Sequence, residues 1–177
     1  MHLSLLNGWL PAVVAGDTGV LLGQRMQSFL LEENHPNVLA PGKRPRITLT
    51  PTLVMKDGKP LLVLSTPGGD NQDQALLQVM LNIIEFGMNP QEAVEAPRFQ
   101  SEHYFSSFDF HEFRPGRVSI EKRMVRQTPE ELVKLGHIVQ ITGEWSNTSA
   151  PTVILRTSDG VLHGGADPRR GRFVFGR

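Results

Sequence analysis

The spacing of apolar residues in the middle of the chain changes from that of β-strands to that of an α-helix. Residues Pro60–Thr66 form a nearly continuous apolar run, which predicts a buried strand, and Thr52–Lys56 predicts a second strand before it. Asp57-Gly58 lies between them and tolerates the positive φ angles of a tight turn. We therefore expect a β-hairpin here.

The period changes to that of a helix between Asp70 and Phe86. Polar residues recur along one stripe, and the remaining positions form a broad apolar face. The stripe consists of Gln74, Gln78, Asn82 and Glu85, and the face of Leu76, Leu77, Val79, Met80, Leu81, Ile83 and Ile84. Gly87 is expected to end the helix, which would pack on a sheet through this face.

The second half of the chain repeats this mixture of elements. Asn89-Pro-Gln-Glu92 has the pattern of a capping box, with Pro97 ending the short helix, and Thr128-Pro-Glu-Glu131 repeats it. Strands are predicted at Val118–Ile120, Ile138–Ile141, Thr152–Leu155 and, after a turn at 158–160, at Val161–His163. The hairpins and capped helices favour antiparallel α+β layers over a doubly wound parallel sheet.

Composition excludes several functions. The 177 residues suit a single domain, 1–177, and the 18 basic and 18 acidic side chains cancel, so no nucleic-acid or membrane partner is expected. The chain has no cysteine, which excludes thiolate catalysis and disulfides. Residues 1–9 lack the features of a signal peptide. The compartment stays open, and a cytoplasmic location is expected only if the chain is free-standing.

The chemistry concentrates at Ser65-Thr-Pro-Gly-Gly-Asp70, where the predicted strand turns into the predicted helix. Such a turn presents backbone N–H groups and the positive end of a helix dipole, and glycine lets a ligand approach closely. Gly68 and Gly69 could therefore hold a phosphate, a carboxylate or the oxyanion of an acyl-transfer intermediate. The alternative is an ordinary glycine turn in which Asp70 caps the helix.

Seven sequence stretches, in this order, resemble the small subunit of γ-glutamyltranspeptidases and their acylase-like relatives. They are Val14–Leu22, His35–Asn37, Pro41–Pro45, Thr50–Pro51, Thr66–Gly69, Gly87–Arg98 and Gly165–Arg169. The resemblance covers nearly the whole chain. It implies the small-subunit half of an N-terminal-nucleophile (Ntn) hydrolase, which has a four-layer αββα sandwich.

The resemblance also implies a mechanism. Members of this family cut themselves, and the new N-terminal threonine attacks a γ-glutamyl amide such as that of glutathione, with its own α-amino group as base. The two glycines, here Gly68 and Gly69, then form the oxyanion hole. The acyl group passes to water or to an amino acid. No metal or organic cofactor is implied.

The nucleophile itself is expected to lie outside this chain. In the family the catalytic threonine comes well before the segment matched by Ser4–Trp9, and Thr18, Thr48, Thr50 and Thr52 are internal. We therefore expect no catalytic residue in these residues and no activity without the threonine segment and the large subunit. A partner is implied, either that subunit or a second copy covering the open apolar layer, which predicts self-association.

The substrate-binding positions depart from the transpeptidase pattern. The acidic residue that would bind the substrate α-amino group corresponds to Ser28, with Arg25 three positions earlier, and a family Ser-Ser pair corresponds to Ile47-Thr48. With Ser4, we take Arg25, Ser28 and Thr48 as substrate-binding candidates. Arg25 would suit a carboxylate on an acyl group without a free amine, although a surface arginine and a capping serine remain the alternative.

Three further patterns are weaker. Asp17-Thr18-Gly19 matches the triplet of dimeric aspartic proteases, and Asp109, His111 and Glu112 could approach a metal, although solvated side chains are the simpler interpretation. Asp167-Pro168-Arg169 is expected to tie the C-terminal segment to the domain by an ion pair. Two functional classes therefore remain: part of an amide-cleaving acyl transferase, and a noncatalytic homologue that binds a partner or ligand in the same cleft.

Overall fold

The computed structural model describes residues 13–20, 23–108, 110–124 and 127–176. Ser4 and Asp109, two of the residues singled out above, lie outside the described residues, as do Leu21, Leu22 and the first twelve positions. None of the described helices is long and apolar enough to cross a membrane.

Seven strands and three α-helices make up the described fold. The strands are β1 (Thr52–Lys56), β2 (Lys59–Ser65), β3 (Phe99–Ser101), β4 (Arg117–Glu121), β5 (Ile138–Thr142), β6 (Thr152–Arg156) and β7 (Leu162–Ala166). The helices are α1 (Gln72–Ile84), α2 (Pro90–Glu95) and α3 (Gln127–Lys134), and short 3₁₀ turns cover Gln24–Ser28, Gly69–Asn71 and Pro168–Arg170.

The larger sheet has the strand order β1-β2-β6-β7, and every pairing in it is antiparallel. Both predicted hairpins, β1–β2 and β6–β7, are confirmed. One face of this sheet packs against α1 and α2 and forms the core. The buried members of that core are Leu62, Leu64, Leu76, Val79, Ile83, Ala93, Val94 and Val153.

The opposite face of the larger sheet is apolar and open. Leu53, Val63 and Ile154 lie opposite one another in register on β1, β2 and β6, and they are 56%, 47% and 40% exposed. A row of large apolar side chains across adjacent strands is unusual on a free surface. The described part of the chain therefore presents one uncovered sheet layer.

The smaller sheet corrects one expectation. Its order is β3-β4-β5, and β4 and β5 pair in parallel, whereas only antiparallel layers were predicted. The reason is α3, which carries the chain back across the sheet so that β5 enters in the same direction as β4. The strand β3 was missed because it is three residues long and carries polar Gln100 and Ser101.

The helix boundaries differ from those predicted in two places. A 3₁₀ turn occupies 69–71, so α1 begins at Gln72 rather than at Asp70. The apolar face of α1 is narrower than expected, because Leu77, Leu81 and Ile84 are exposed.

One of the two predicted capping boxes is confirmed and the other is wrong. Asn89 accepts a hydrogen bond from the Glu92 N–H and Glu92 returns one to the Asn89 N–H, which is the predicted capping box. Thr128, expected before the first turn of the next helix, lies instead inside α3.

Candidate active site

The glycine turn follows directly from the end of β2. Gly68 has φ 134° and Gly69 has φ 58°, both in the range that L side chains rarely adopt. A Cβ on Gly68 would lie 2.3 Å from Ser149 Oγ, and one on Gly69 would lie 2.8 Å from a ring carbon of Phe108. Both positions therefore require glycine for space as well as for conformation.

The backbone donors of this turn are unused within the described residues. Neither the Gly68 N–H nor the Gly69 N–H donates a hydrogen bond to any described group, whereas the Asn71 N–H donates to the Gly68 carbonyl at 3.1 Å. The turn lines a cavity of about 1100 Å³. Unpaired N–H groups at the start of a helix, facing a cavity, are suited to a negatively charged oxygen.

Asp70 does not cap the helix, contrary to the alternative interpretation of the turn. Its carboxylate accepts hydrogen bonds from the Ser107 N–H at 2.7 Å and the Ser107 hydroxyl at 2.6 Å, and Arg46 approaches at 3.2 Å. The residue preceding α1 is Asn71, which makes no side-chain capping bond. Asp70 instead ties the turn to the loop around Ser107.

Arg25 and Thr48 line the same cavity as the glycine turn. Arg25 Nη1 donates to Thr48 Oγ1 at 3.2 Å, while Arg25 Nη2 is buried and has no hydrogen-bond partner among the described residues. Burial lowers the pKa of Arg25, and Asp70 acts in the opposite direction. An unsatisfied guanidinium nitrogen is costly unless a ligand accepts its hydrogen bond, so Arg25 is equipped to receive an oxygen anion.

Ser28 lies apart from this group. Its hydroxyl is buried and within hydrogen-bond distance of two backbone carbonyls, those of Arg25 at 2.7 Å and Arg46 at 2.9 Å. It lines a separate, smaller cavity of about 360 Å³. In this arrangement Ser28 holds the backbone around Arg25, and its contact with substrate stays a prediction, as does that of Ser4.

Several residues of the cavity were missed by the sequence analysis. Asn71 Nδ2 donates to Asn147 Oδ1 at 2.8 Å and to Ser149 Oγ at 3.1 Å, and so joins the turn to the segment before β6. These partners are more than seventy positions apart, so no local motif marks them. Tyr104 also lines the cavity, and burial raises the pKa of its hydroxyl, which Gln100 opposes.

A buried ionic cluster lies next to this segment. It comprises Arg98, Glu121, Asp167 and Arg169, whose side chains are at most 1% exposed. Arg169 binds Glu121 through two nitrogens, at 2.8 and 2.6 Å, and its Nη1 lies 3.1 Å from both oxygens of Asp167. The expected ion-pair attachment of the C-terminal segment is therefore confirmed.

The cluster reaches the glycine turn through one residue. Arg98 pairs with Asp167 and also donates to the Ser149 carbonyl at 3.1 Å. Ser149 is the residue whose Oγ lies against Gly68. The cluster thus fixes the wall behind the turn.

The weaker motifs have other surroundings. His111 places its two ring nitrogens 2.8 and 3.1 Å from the carbonyls of Ser106 and Phe29, and Glu112 pairs with Arg114. In the described ranges, no three His, Asp or Glu side chains come together as a metal site would require. Thr18 bonds within its own exposed turn, since its hydroxyl donates to the Ala15 carbonyl at 2.6 Å.

The sheet-and-helix layers with a donor-bearing glycine turn at the cavity place the protein among the Ntn hydrolases, as the small-subunit half of an αββα sandwich. The chain belongs to the γ-glutamyltranspeptidase family, whose model matches residues 6–176.

Relatives from both branches of the family resemble the chain. The glutathione hydrolase-like YwrD proenzyme of Bacillus subtilis is 37% identical over 159 residues, covering 89% of this chain and 29% of the relative. A solved T380A mutant of Helicobacter pylori γ-glutamyltranspeptidase gives a TM-score of 0.74 at 28% identity, covering 96% of this chain and 92% of that one. Cephalosporin acylase from Bacillus halodurans gives 0.73 at 34% identity, covering 86% and 26%. The chain thus spans less than a third of the curated relative.

Proposed function

We propose that the chain is the small-subunit-like region, 1–177, of an enzyme that cleaves acyl amides through an N-terminal threonine. The threonine oxygen bonds to the amide carbon, its proton passes to the α-amino group, and the carbonyl oxygen becomes an oxyanion. Collapse of this intermediate expels the amine, which takes the proton, and water or an amine then removes the acyl group. The threonine is supplied from outside these residues.

The observation that carries the proposal is the pair of N–H groups at Gly68 and Gly69, on the large cavity, that bond to nothing in the described part of the chain. In the transition state the carbonyl oxygen gains negative charge, and donors already in place stabilise it without reorganisation. Substituting either glycine would fill the approach and strain the backbone. The need for glycine at both positions therefore supports an oxyanion role for the turn.

Arg25 supports a carboxylate-bearing acyl group. Arg25 and Thr48 line the same cavity, and the one acidic residue among the described lining residues, Asp70, is bonded to Ser107 and Arg46. A substrate ammonium group would therefore meet a cation rather than a carboxylate. We propose a glutaryl-type acyl group, in preference to γ-glutamyl, as the substrate class.

The partner is proposed to be the large subunit, seated on the open face of the larger sheet. The row of Leu53, Val63 and Ile154 supplies the apolar surface that such a contact requires. The relative's designation as a proenzyme is consistent with a partner subunit. The alternative is a noncatalytic protein that binds a partner or ligand in the same cleft. An activity assay distinguishes it from this proposal.

The decisive experiment compares two nitroanilides in the protein assembled with its threonine segment and partner. Glutaryl-4-nitroanilide and γ-glutamyl-4-nitroanilide differ only in the α-amino group, so their kcat/KM ratio reports directly on the surroundings of Arg25. We expect glutaryl to be preferred, and Arg25→Gln to raise its KM by about tenfold or more, because a hydrogen bond to a charged group contributes ~1.5–3 kcal/mol.

Gly69→Ala tests the oxyanion role in the same assay. Alanine keeps the backbone N–H, but its Cβ strains the turn and meets Phe108, so the donor should be displaced from the carbonyl oxygen. Full loss of one oxyanion donor lowers kcat by about 10²–10³-fold, which is the upper limit of the expected effect. Preference for γ-glutamyl would overturn the substrate class and leave the family reaction standing. Absence of nitroaniline release, with both glutaryl and γ-glutamyl compounds still bound, would favour the noncatalytic alternative.

A further inference from the structure

Residues 105–113 form a loop that packs beside the glycine turn. Ser107 in this loop donates two hydrogen bonds to the Asp70 carboxylate, at 2.7 and 2.6 Å from the backbone N–H and the hydroxyl. The ring of Phe108 packs so closely on Gly69 that a Cβ there would lie 2.8 Å from it. The 105–113 loop therefore supports the turn that is proposed to bind the carbonyl oxygen.

A second segment carries the arginine of the proposed acyl site. The 3₁₀ turn Gln24–Ser28 includes Arg25, and the buried Phe29 follows it directly. Among the described residues, one hydrogen-bonding contact joins this segment to the 105–113 loop, and the side chain of His111 makes it. The spacing between the two parts of the site therefore depends on this imidazole.

His111 contacts both segments through its two ring nitrogens. Nδ1 lies 2.8 Å from the Ser106 carbonyl oxygen, in its own loop, and Nε2 lies 3.1 Å from the Phe29 carbonyl oxygen. A carbonyl oxygen only accepts hydrogen bonds, so each contact requires an N–H on the ring. Neutral imidazole has one N–H, whereas imidazolium has two. Both hydrogen bonds therefore form together only when His111 is protonated.

The two other histidines in the described lining of the small cavity have the opposite requirement. His35 Nδ1 accepts a hydrogen bond from the Asn37 N–H, and His103 Nδ1 accepts one from the Gly116 N–H, each at 2.9 Å. A nitrogen that accepts a hydrogen bond has no proton of its own, so these contacts suit neutral rings. In this lining, His111 is thus the histidine whose contacts need the charged form.

The other titratable groups of this region have contacts of their own. Arg46 lines the small cavity and lies 3.2 Å from Asp70, while Glu112 in the 105–113 loop pairs with Arg114. Tyr104 also lines this cavity, and because burial raises the pKa of its hydroxyl it stays neutral near neutral pH. Histidine is the residue type that changes charge between about pH 5 and 8.

We propose that protonated His111 is a positioning residue, which holds the segment of Arg25 at a fixed distance from the glycine turn. Deprotonation removes one N–H, so one of the two carbonyl contacts is lost and the link between the segment and the loop weakens. The acyl site is then complete on the acidic side of the histidine range and weaker on the alkaline side. This inference rests on the proposed function, since that function assigns the acyl carboxylate to Arg25.

The test is calorimetric titration of the full chain with glutaryl anilide at about pH 6 and about pH 8. The carboxylate of the ligand and the guanidinium group of Arg25 keep their charges over this range, and binding requires no nucleophile. We expect binding to be about three- to tenfold tighter at the lower pH, since tenfold corresponds to ~1.4 kcal/mol, about one hydrogen bond. This ratio should persist at high salt, because salt screens long-range fields more than short contacts.

Two substitutions of His111 test whether its charge is responsible. Both retain a side chain on the left-handed backbone of this residue, which has φ 53°. His111→Arg keeps N–H donors and a positive charge at both pH values, so it should bind tightly at both. His111→Gln is neutral at both, so its binding should be weak and independent of pH. Circular dichroism confirms that each variant is folded.

His137→Gln is the matched control, because it removes an exposed imidazole outside the described lining of both cavities. It should keep the pH dependence of the unaltered chain. Equal affinity at both pH values in the unaltered chain, or a dependence that survives in both His111 variants, would overturn the role of His111 alone. Absence of glutaryl anilide binding at either pH would overturn the proposed acyl site together with it.

NMR of the chain labelled at histidine gives a readout that needs no ligand. At about pH 6, both ring N–H protons of His111 should exchange slowly with water, because each is held by a carbonyl, and those of His137 should exchange rapidly. The His111 signals are assigned by their loss in His111→Gln. Rapid exchange of either His111 proton would overturn the proposed double contact.

Discussion

Two pairs of arginines in this protein differ in how they are paired, although Arg169 and Arg170, one from each pair, are adjacent in the sequence. Arg98 and Arg169 are buried, and carboxylates of Glu121 and Asp167 surround them. Arg25 and Arg170 line the large cavity, and within the described chain no carboxylate forms an ion pair with either. The same residue type therefore serves two separate purposes.

The difference lies in where the compensating anion comes from. A buried guanidinium is tolerated only when the fold supplies its carboxylates, and breaking such a pair leaves an uncompensated charge. We propose that a cavity guanidinium without a carboxylate partner in the described chain, such as that of Arg25, takes its anion from a ligand. Pairing, rather than residue type or motif, distinguishes the structural arginines from the arginines that line the cavity.

The largest expected effect comes from breaking the structural group. Asp167→Ala removes the carboxylate shared by Arg98 and Arg169, so Arg98 loses its ion-pair partner and Arg169 keeps only Glu121. We expect the free energy of unfolding to fall by about 3–5 kcal/mol, the cost typical of breaking a buried ion pair. Urea unfolding of the full chain followed by circular dichroism measures it.

Arg156→Gln is the control, because it removes one charged side chain that is not part of the buried cluster. A loss below about 1 kcal/mol for Asp167→Ala would mean that water compensates the two arginines. In that case the ion pairs of the cluster would not be what holds Arg98 against the Ser149 carbonyl.

Lowering the pH should destabilise the protein through the same buried ionic cluster. Burial acts to raise the pKa of Glu121, but hydrogen bonds from Arg169 and from the backbone of Asn147 and Arg98 outweigh it, and the net shift is downward from 4.5. Below that ordinary value the unfolded state binds more protons than the folded state, so stability falls as pH decreases through the folded pKa. Above pH ~4.5 the contribution is fully present.

Glu121→Gln should flatten this part of the stability curve, since the glutamine does not titrate. Urea unfolding at a series of pH values between about 2 and 6 compares the two slopes. Parallel curves for the variant and the unaltered chain would show that Glu121 binds protons equally in both states. Glu102, whose pKa is also lowered, remains in both proteins and contributes equally to each curve.

Much of the fold could be predicted from local patterns. The hairpin of β1 and β2, the capping box at Asn89 and the strands β4, β5 and β6 depend on residues within a few positions, and the structure contains them. The parallel pairing of β4 with β5 could not be predicted, because side chains alternate between the two faces of a strand in parallel and antiparallel pairs alike. The start of α1 was missed because a 3₁₀ turn at 69–71 also places residues on a helical spacing.

The candidate site divides in the same way. The glycine turn is contiguous in sequence, and Arg25 and Thr48 were reached by family resemblance, so these residues could be identified before the structure. Asn147 and Ser149 could not, since they contact the turn from more than seventy positions away. The ion pairing of Arg169 was expected from the sequence, but nothing in the sequence indicated that its neighbour Arg170 lines the cavity, because only tertiary packing separates the two side chains.

Two glycines, Gly69 and Gly87, separate an effect on stability from an effect on the cavity. Gly69 and Gly87 have φ angles of 58° and 67°, but a Cβ on Gly87 would meet open space and one on Gly69 would contact Phe108 at 2.8 Å. Alanine at either position should cost about 1–2 kcal/mol in unfolding free energy from the backbone alone. Only Gly69→Ala should also weaken binding of glutaryl anilide, measured by calorimetry. Equal loss of binding in Gly87→Ala would trace the effect to stability.

The smallest expected effect concerns Arg46, the exposed partner of Asp70. The Arg46 side chain is 49% exposed and lies 3.2 Å from the carboxylate, so solvent screens the pair. Ser107 retains Asp70 through two hydrogen bonds, at 2.7 and 2.6 Å. Arg46→Gln should therefore change the unfolding free energy by less than about 0.5 kcal/mol.

Ser107→Ala provides the contrast, because it removes the hydroxyl bond to Asp70 and should cost about 1 kcal/mol. Urea unfolding of both variants resolves the difference. If Arg46→Gln proves the more damaging of the two, the long-range ion pair rather than the Ser107 contact holds the glycine turn against its neighbouring loop. Charge pairing at the rim would then contribute to the geometry of the site, and the division between supporting and binding arginines would have to include a third, intermediate group.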